Sequence, residues 1–537
     1  MDMLKKWRAR VKTTCISVSI DTKISVEQKP ISERNMIMSR SHFGQTTAII
    51  LFASILMSCG GNGGNGGNGG SGKETSDMGG QSQEITETDV TGEYAYPDKD
   101  YGGYEFRILN FNEFWSCYVR VDIQEQTGEV VDDAVWKRNR GIEDRFGIKI
   151  SEITEEFNGG GNSTGVTKLL SSAVMAGDDA YDAAFLPISY GPGVITEGNL
   201  VDLASIPEIN LDKDWWDNVL NSEMWLNGKL YAAATPLQLT SLDLTWVLLF
   251  NKDILSAYDL EYPYDTVREG KWTMDELNGY LTKIANLNGD DSFKYSENGN
   301  AVYGIAGHDT GSYMFLVGGG ERFIGHDDTG KLVYESPDDR FYEVISKVAT
   351  IFSTSDGKVL VNSMDLLTDA GGYYNLFYTG RAGFLTTELK GAKVMRSLET
   401  DYGILPSPKY DENQQDYITY ASENIVRCTV PVTVTDLSRT GVILDALSYE
   451  SYRDVLPLYY GQTISQKGLR DEDSIEMLNI INDTRVSESG LIFGVTSSLV
   501  DSLKNSIKNE KDDFASVVAK NEESVRKKLT KLLESIG

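Results

Sequence analysis

Strand-like and helix-like segments alternate between residues 104 and 186, and this order limits the possible folds more than any other feature. Tyr104–Leu109 alternates polar and apolar residues, as a half-buried strand does. Helical spacing of apolar residues over 130–146 predicts a helix that ends at Gly147, and Ile148–Ile150 then reads as a second strand. Tyr181–Leu186 predicts a strand that is buried on both faces. This order is typical of an α/β fold with a mostly parallel sheet.

The main part of the chain is too long for one hydrophobic core. Of the 537 residues, about 435 follow residue 102, whereas a single core usually stops growing at roughly 250–300 residues. We therefore expect two domains.

Acidic residues outnumber basic ones. The chain has 80 Asp and Glu against 50 Lys and Arg, which gives a formal net charge of −30. Such a surface repels nucleic acid and anionic lipid, so neither is a predicted partner.

A short apolar run, 48–57, is followed by Ser58 and a cysteine. The run is shorter than the roughly 20 apolar residues that cross a bilayer, and it suits the hydrophobic part of a secretory signal. The ending Leu56–Cys59 resembles the lipobox of bacterial lipoproteins, which implies cleavage before Cys59 and lipidation of its thiol. Residues 1–58 are thus a predicted signal peptide with an upstream extension that a start at Met38 would omit.

A glycine-rich tract follows the cysteine, from Gly60 to about Gly80. It cannot bury enough apolar surface to offset its chain entropy, so residues 59–102 are predicted to be a flexible tether. With the lipid as its anchor, the protein is expected at the cell membrane, facing outside the cytoplasm.

Later segments continue the mixed pattern. Gly228–Ala233 and Leu244–Phe250 are strand-like, and KWTMDEL predicts a helix capped by Thr273 with Glu276 three positions on. The C-terminus is predicted to be helical. Two cysteines remain after the tether, Cys117 and Cys428, and the sequence leaves open whether they pair or stay as separate thiols.

From Tyr104 to about Gly490 the chain resembles the family 1 extracellular solute-binding proteins, the receptor lipoproteins of ABC importers, many of which take carbohydrate. Each motif is weak alone, but the order and spacing are specific. The stretches that carry the resemblance are YDAAFLP, NLVDL, DWWDN, NGKLYAAATP, LLFNKDIL, KWTMDEL, GRAGF, DYGILPSPKYDENQQDY, VPVTVTD and PLYY.

The resemblance implies an α/β, two-lobed periplasmic-binding-protein-like fold with hinge crossovers between the lobes. It also implies capture of a small solute, most simply a sugar, by closure of the lobes, and delivery to the permease subunits of an ABC importer. The expected first lobe is 103–236 with 384–427, the expected second lobe is 237–383 with 428–537, and the expected hinges are Thr235–Thr240, Gly383–Thr387 and Asn424–Pro431.

The binding site is expected in loops at the carboxyl ends of strands, where an α/β lobe presents its ligand-binding groups. A sugar needs aromatic rings for its apolar faces and polar side chains for its hydroxyls. The candidate ligand-binding residues are Asn112, Glu113, Trp115, Ser189, Tyr190, Thr240, Asp243, Trp246, Glu388 and Tyr459.

Several candidates have an alternative role in packing. Trp115 and Tyr190 follow strands into loops, where ligand contact and packing are both open. Trp246 stands inside an apolar strand, so a place in the core is the simpler interpretation. Asp243 is polar within an apolar stretch, which favours either a hinge hydrogen bond or a ligand contact.

No cofactor and no metal are predicted. Asn286–Glu297 has oxygen side chains at the spacing of a calcium loop, but it starts with Asn and carries Asp291 where the sharp turn requires glycine. Only His308 and His326 follow the tether, and no nucleophile-elbow pattern is present. The chain is therefore predicted not to be an enzyme. The alternatives are a surface glycan-binding lipoprotein without a transporter and a glycoside hydrolase, because its many carboxylates leave a catalytic pair open.

A Cys59→Ser substitution tests the predicted anchor. Serine cannot accept the thioether-linked lipid, so we expect the variant to leave the membrane fraction and appear in the soluble fraction after cell fractionation. Retention of the variant in the membrane fraction would contradict the lipoprotein interpretation.

Overall fold

The structure is a computed structural model that describes part of the chain. The described residues are 94–157, 164–296, 298–354, 357–362, 372–394, 401–464 and 471–537. The predicted signal peptide, Cys59 and residues 59–93 of the predicted tether lie outside the described residues.

The strands that the structure describes are numbered β1 to β13 in chain order. They are β1 Tyr104–Phe111, β2 Ile148–Glu155, β3 Ala183–Pro187, β4 Trp246–Asn251, β5 Tyr303–His308, β6 Ile324–His326, β7 Leu332–Tyr334, β8 Val359–Asn362, β9 Ala382–Glu388, β10 Tyr402–Leu405, β11 Thr419–Tyr420, β12 Val426–Thr429 and β13 Arg485–Val486.

Helices connect and cover these strands. The longer ones are Val130–Phe146, Gly165–Ala176, Lys252–Ala257, Met274–Ile284, Thr310–Gly318, Asp339–Ile351, Gly372–Tyr378, Leu389–Val394, Leu437–Glu450, Leu456–Ile464, Glu472–Asp483, Ser497–Lys508 and Phe514–Ile536. Shorter helical turns are Ile188–Tyr190, Gly193–Thr196, Leu203–Ser205, Asn218–Asn221, Ser222–Met224, Thr240–Asp243, Tyr264–Arg268, Ser451–Val455 and Ser489–Ile492.

Two sheets organise the chain into two lobes. The first sheet has the order β12-β3-β1-β2, in which β1 runs parallel to β2 and β3, and β12 runs antiparallel to β3. The second sheet has the order β10-β4-β9-β5-β8, in which β5 runs parallel to β8 and β9. Strand β4 runs antiparallel to both β9 and β10. We call the parts built on these sheets the first and the second lobe.

The predicted elements at the start of the first lobe are confirmed. The helix covers Val130–Phe146 as predicted, and it ends because Gly147 adopts the left-handed conformation, with φ at 57°. A Cβ atom at this position would lie 2.1 Å from Asp100 Oδ1, so no larger residue fits without a shift. Strands β1, β2 and β3 follow the predicted order, and β3 is buried throughout.

The strands of the second sheet differ from the expected division between lobes. Strands β9 and β10 lie inside the segment 384–427 that was expected in the first lobe, and Gly383–Thr387, an expected hinge, lies within β9. Both strands pair with β4, so they belong to the second lobe. The chain instead returns to the first sheet at β12, which includes Cys428.

Helix Leu437–Glu450 also differs from the expected division, which placed it in the second lobe. It packs against helix Val130–Phe146 of the first lobe. Beyond it, Arg138 donates a 2.9 Å hydrogen bond to the Ser451 hydroxyl. The segment from 426 to 451 therefore returns to the first lobe.

The folded body begins earlier than residue 103. Tyr94 is buried, and its ring stacks on Tyr449 with the centroids 4.8 Å apart. Tyr96 packs beside it and lies under the Arg145 guanidinium, 3.9 Å from the ring centroid. Aromatic packing therefore joins residues from Tyr94 onward to the first lobe, and the end of the predicted tether was placed too far along the chain.

The remaining sequence expectations have mixed outcomes. Gly228–Ala233 forms no strand and contributes only isolated bridges, such as Ala233 with Cys428. The predicted C-terminal helix is confirmed as Phe514–Ile536. Cys117 and Cys428 are both buried, and no disulfide bond joins them to each other. Of the helices in the described ranges, none combines the length and the apolar character that crossing a membrane requires.

Thr273 caps helix Met274–Ile284, and its hydroxyl accepts a 3.2 Å hydrogen bond from the Glu276 backbone nitrogen. We expect Thr273→Ala to lower the free energy of unfolding by about 1 kcal/mol, because one amide at the helix start loses its partner. Urea denaturation measures the change. Thr282→Ala on the exposed side of the same helix is the matched control and should change stability by less than about 0.5 kcal/mol. Equal effects of the two substitutions would contradict the capping role.

Candidate functional site

Trp115 and Tyr190 follow neighbouring strands of the first sheet. Trp115 lies in the loop after β1, and Tyr190 ends the helical turn after β3. Their half-buried rings meet edge to face, with the centroids 5.8 Å apart. The structure thus brings these two predicted residues together at the carboxyl ends of parallel strands.

The loop that holds Trp115 has an uncommon backbone. Trp115 and Ser116 both have positive φ, at 49° and 60°, a conformation that residues other than glycine adopt at an energetic cost. The Glu113 carboxylate accepts a hydrogen bond from the Ser116 nitrogen, which supports the turn. The Trp115 ring also packs against Phe157, with the centroids 5.6 Å apart.

The second lobe contributes residues from the carboxyl ends of its own strands. Glu388 ends β9 and His308 ends β5. Trp246, the first residue of β4, is directly opposite Glu388 in the sheet and lies 6.4 Å from the His308 ring. Lys390 follows Glu388 and forms a 2.8 Å ion pair with it.

One contact joins the residues of the first lobe to those of the second lobe. The Lys390 ammonium lies 5.4 Å from the centroid of the Trp115 ring, within the range of a cation–π interaction. The strand ends of both sheets therefore face each other, and they form a candidate site between the lobes. We call this group of Trp115, Tyr190, Glu388, Lys390 and Glu423 the cleft cluster.

Glu423 enters the cleft cluster from the segment that crosses back to the first sheet. Its carboxylate accepts a hydrogen bond from the Tyr420 hydroxyl. Its neighbour Asn424 is 2.7 Å from the hydroxyl of Ser189 and joined to it by a hydrogen bond. The crossing segment thus lies beside the loop that carries Tyr190.

The carboxylates of the cleft cluster are partly removed from water, and this changes the pKa values of the groups in the cluster. Burial raises the pKa of Glu388, Lys390 lowers it only in part, and the charge of Glu423 raises it further. Burial disfavours the charge of Lys390, but the Glu388 carboxylate, together with Cys117 and Tyr374, outweighs this effect and raises the pKa of the ammonium. Burial, Glu423 and Glu388 together raise the pKa of Tyr190.

Three other predicted residues lie in buried hydrogen-bonding positions. The Thr240 hydroxyl accepts from the Val426 nitrogen at 3.2 Å and donates to the Val426 carbonyl at 3.4 Å. Asp243 is 1% exposed and accepts from the Tyr118 nitrogen at 2.8 Å. Its other oxygen accepts from the Tyr459 hydroxyl. Thr240 therefore holds the start of β12, and Asp243 corresponds to the hinge alternative of the sequence analysis.

Asn112 and Glu113 are exposed. Asn112 lines a shallow groove of about 320 Å³ at the edge of the first sheet, together with Arg120, Asp122 and Glu152. The Asn112 side-chain oxygen accepts from the Phe157 nitrogen at 3.4 Å. The contacts of Asn112 and Glu113 are local, so the structure gives them a place in the loop around Trp115.

In the calcium-like loop Asn286–Glu297, side-chain oxygens accept hydrogen bonds from nearby backbone nitrogens of the protein. Asp290 accepts from the backbone nitrogens of Asn300 and Ala301, at 2.7 and 2.9 Å, and these bonds lower its pKa. Asn286 accepts from the Asn288 nitrogen, and Glu297 lies outside the described residues. Across the described ranges, no three His, Cys, Asp or Glu side chains are grouped to hold a metal ion.

Sequence reasoning did not identify Lys390, Glu423 and Asn424 as site residues. Lys390 lies two positions after the predicted candidate Glu388, and this closeness in the sequence could have indicated it. Glu423 and Asn424 reach the cleft cluster because β12 pairs with β3, a strand about 240 residues earlier in the chain. No local pattern reports such a pairing.

Comparisons with known proteins agree on the fold. No protein-family model matches the sequence, and a comparison with curated proteins also finds no match. A sugar transporter from Rhizobium etli, solved in an open conformation, has a TM-score of 0.51 and 13% identity, and the match covers 81% of this chain and 99% of that one. A cyclo/maltodextrin-binding protein complexed with maltotetraose has a TM-score of 0.50 and 13% identity, with 83% and 98% covered.

This similarity confirms the predicted fold class. The chain shares the fold of these two proteins, and its two sheets form the two-lobed α/β architecture that the resemblance in the sequence implied. At 13% identity the likeness establishes the fold, and the ligand has to be argued from the side chains of the site.

Tyr459→Phe tests the buried role of the Asp243 network. The change leaves one oxygen of a buried carboxylate without this donor, so we expect the free energy of unfolding to fall by about 1–3 kcal/mol. Chemical denaturation measures it, and Tyr262→Phe, at a hydroxyl whose hydrogen bond to Ser256 is exposed, is the matched control. A Tyr459→Phe variant as stable as the control would show that the network contributes little.

Proposed function

We propose that this protein captures a small carbohydrate between its two lobes and delivers it to an ABC importer. The observation that carries the proposal is the cleft cluster, in which aromatic rings from the first lobe face carboxylate and ammonium groups from the second. Rings provide surfaces for the C–H faces of a sugar, and charged groups provide acceptors and donors for its hydroxyls.

The position of these groups supports capture by closure. Trp115 and Tyr190 extend from the first sheet, whereas Glu388 and Lys390 extend from the second. A solute that contacts both sets stabilises the arrangement in which the lobes are close together. The permease subunits of an importer can then recognise the closed arrangement without touching the solute.

We further propose that the lipidated Cys59 holds the protein at the outer face of the membrane. The support for this step is the sequence alone, namely the lipobox-like ending and the glycine-rich tract after it. The membrane contact would then be made by the lipid, and the acidic body would remain in solvent.

A glycoside hydrolase is the alternative that the cleft cluster raises. Two carboxylates, Glu388 and Glu423, are close enough for the charge of one to affect the other, and enzymes that cleave glycosidic bonds use a pair of carboxylates. However, Glu388 is paired with Lys390 at 2.8 Å, and Glu423 accepts the Tyr420 hydroxyl, so neither is placed as a free general acid. Incubation with oligosaccharides and chromatography of the products tests the alternative. Cleavage that Glu388→Gln abolishes would favour the enzyme.

A carbohydrate library in a thermal-shift assay tests the proposed capture. A ligand at 100 times its dissociation constant adds about 2.7 kcal/mol of stability, so binders raise the melting temperature. Small-angle scattering with a saturating binder should then show a smaller radius of gyration. An unchanged radius with a verified tight ligand would contradict closure.

Trp115→Ala should weaken the binding of the carbohydrate found in that assay by about 1–3 kcal/mol, the scale of aromatic stacking on planar ligands. Calorimetry measures the affinity. Trp136→Ala, which removes another half-buried tryptophan on helix Val130–Phe146, is the control for general loss of packing. Equal affinity in the Trp115→Ala and wild-type proteins would show that the site lies elsewhere.

A further inference from the structure

Helix Phe514–Ile536 contacts both lobes. It packs against strand β7 and helix Asp339–Ile351 of the second lobe. The guanidinium of Arg526 lies 4.4 Å from the centroid of the Tyr334 ring in β7. The same helix also packs against the helical turn Gly193–Thr196 of the first lobe. One continuous helix therefore spans the junction between the lobes.

The segment 214–236 of the first lobe supplies two further contacts with the second lobe. Its place in the first lobe is fixed from two sides. Trp216 donates a 2.8 Å hydrogen bond to Asp445, which lies on a helix of the first lobe, and Ala233 bridges strand β12. The two parts of this segment that reach the second lobe are a tight turn and a carboxylate.

The tight turn binds the last turn of helix Phe514–Ile536. Asn227 and Gly228 both have positive φ, at 50° and 77°, and Leu226 pairs with Lys229 on either side of them. The Lys229 ammonium donates a 2.9 Å hydrogen bond to the carbonyl of residue 536. The last carbonyls of a helix lack partners within the helix and carry the negative end of its dipole. A lysine from the other lobe is therefore a favourable partner for them.

The carboxylate forms an ion pair between the lobes. The side chain of Glu223 is 11% exposed, and its carboxylate lies 3.2 Å from the guanidinium of Arg322, which precedes β6 in the second lobe. The Ser489 hydroxyl donates to the other oxygen of Glu223 at 2.7 Å. Arg322 also lies 3.7 Å from Glu335 of its own lobe, so it keeps a partner if the lobes separate. The Glu223–Arg322 pair favours the arrangement in which the lobes touch, because without Arg322 a nearly buried carboxylate loses its cation.

We propose that helix Phe514–Ile536, Lys229 and the Glu223–Arg322 pair form a strap that holds the lobes together and so sets the affinity of the cleft for its solute. This inference rests on the proposed function and adds the regulation of the same site. The residues of the strap do not belong to the cleft cluster. They act on binding through the fraction of the protein whose lobes are in the binding arrangement.

The strap and the solute favour the same state of the protein. The contacts of the strap occur in the arrangement in which Lys390 lies 5.4 Å from the Trp115 ring across the cleft. The apparent dissociation constant rises in inverse proportion to the fraction of protein in the binding arrangement. Loosening the strap should therefore weaken every solute of the cleft by the same factor, whereas a substitution in the cleft cluster affects each solute differently.

Small-angle scattering and calorimetry on the full chain test the proposal. The variants are Arg322→Gln, Lys229→Met and the two combined. Scattering needs no ligand, and we expect the ligand-free double variant to have a larger radius of gyration than the wild type. The calorimetric probes are maltose, cellobiose and lactose, with any further binder from the thermal-shift library. The double variant should bind each carbohydrate that the wild type binds about threefold more weakly, by a common factor.

Arg340→Gln is the matched control. Arg340 is 42% exposed and pairs with Glu321, whereas Arg322 is 40% exposed and pairs with Glu223. The control pair lies within the second lobe, so it does not act on the relation between the lobes. Its loss should leave the radius of gyration unchanged and the affinity within about twofold.

The outcomes separate this inference from the proposed function. If the ligand-free double variant keeps the radius of the wild type, or if Arg340→Gln changes radius and affinity equally, the strap is overturned while carbohydrate capture stands. A larger radius with unchanged affinity for a verified carbohydrate overturns the inference as well. If the wild type binds no carbohydrate, the proposed capture fails, and the radius alone decides whether the strap holds the lobes. Circular dichroism of each variant confirms that the protein measured is folded.

Discussion

The antiparallel pairing of β12 with β3 is the interaction on which the rest of the structure depends. It returns the chain to the first sheet after the entire second sheet has been formed, and so it joins the lobes by more than one segment. Thr240 reinforces it by binding both backbone groups of Val426, and the Thr429 hydroxyl donates to the Ala184 carbonyl at 2.8 Å. Because β12 is fixed, Glu423 lies next to the loop after β3.

This arrangement explains why polar groups collect where the lobes meet. Parallel strands of both sheets end there, and loops at such ends are free to carry side chains that a sheet interior would exclude. Glu388 and Glu423 are partly buried, so each hydrogen bond or charge that a ligand offers to their carboxylates counts for more than it would in water. The buried Asp243 network nearby is satisfied by protein groups and belongs to the scaffold.

Much of the fold could be predicted from local sequence patterns. The predictions that failed did so for one common reason. Helix Val130–Phe146 was predictable because Gly147 ends it. Trp115 and Tyr190 could be placed in neighbouring loops because they follow strands that the sequence shows clearly. The observed division between lobes differs from the expected one because β9 and β10 pair with β4. These strands are far apart along the chain, and such a pairing leaves no periodic pattern in the sequence. Lys390 and Glu423 were not among the predicted candidates, since their place in the cleft cluster depends on where distant segments meet. Thr240 and Tyr459 were chosen as ligand-binding candidates because of their side-chain chemistry. In the structure both are buried, and their hydroxyls bond to other groups of the protein.

A crystal structure of the protein with a bound oligosaccharide tests the central claim most directly, because that claim is about where the solute lies. We predict that the sugar lies between the lobes, in contact with Trp115 or Tyr190 on one side and with Glu388 on the other. A sugar bound to one lobe alone, for example in the groove beside Asn112, would contradict the account.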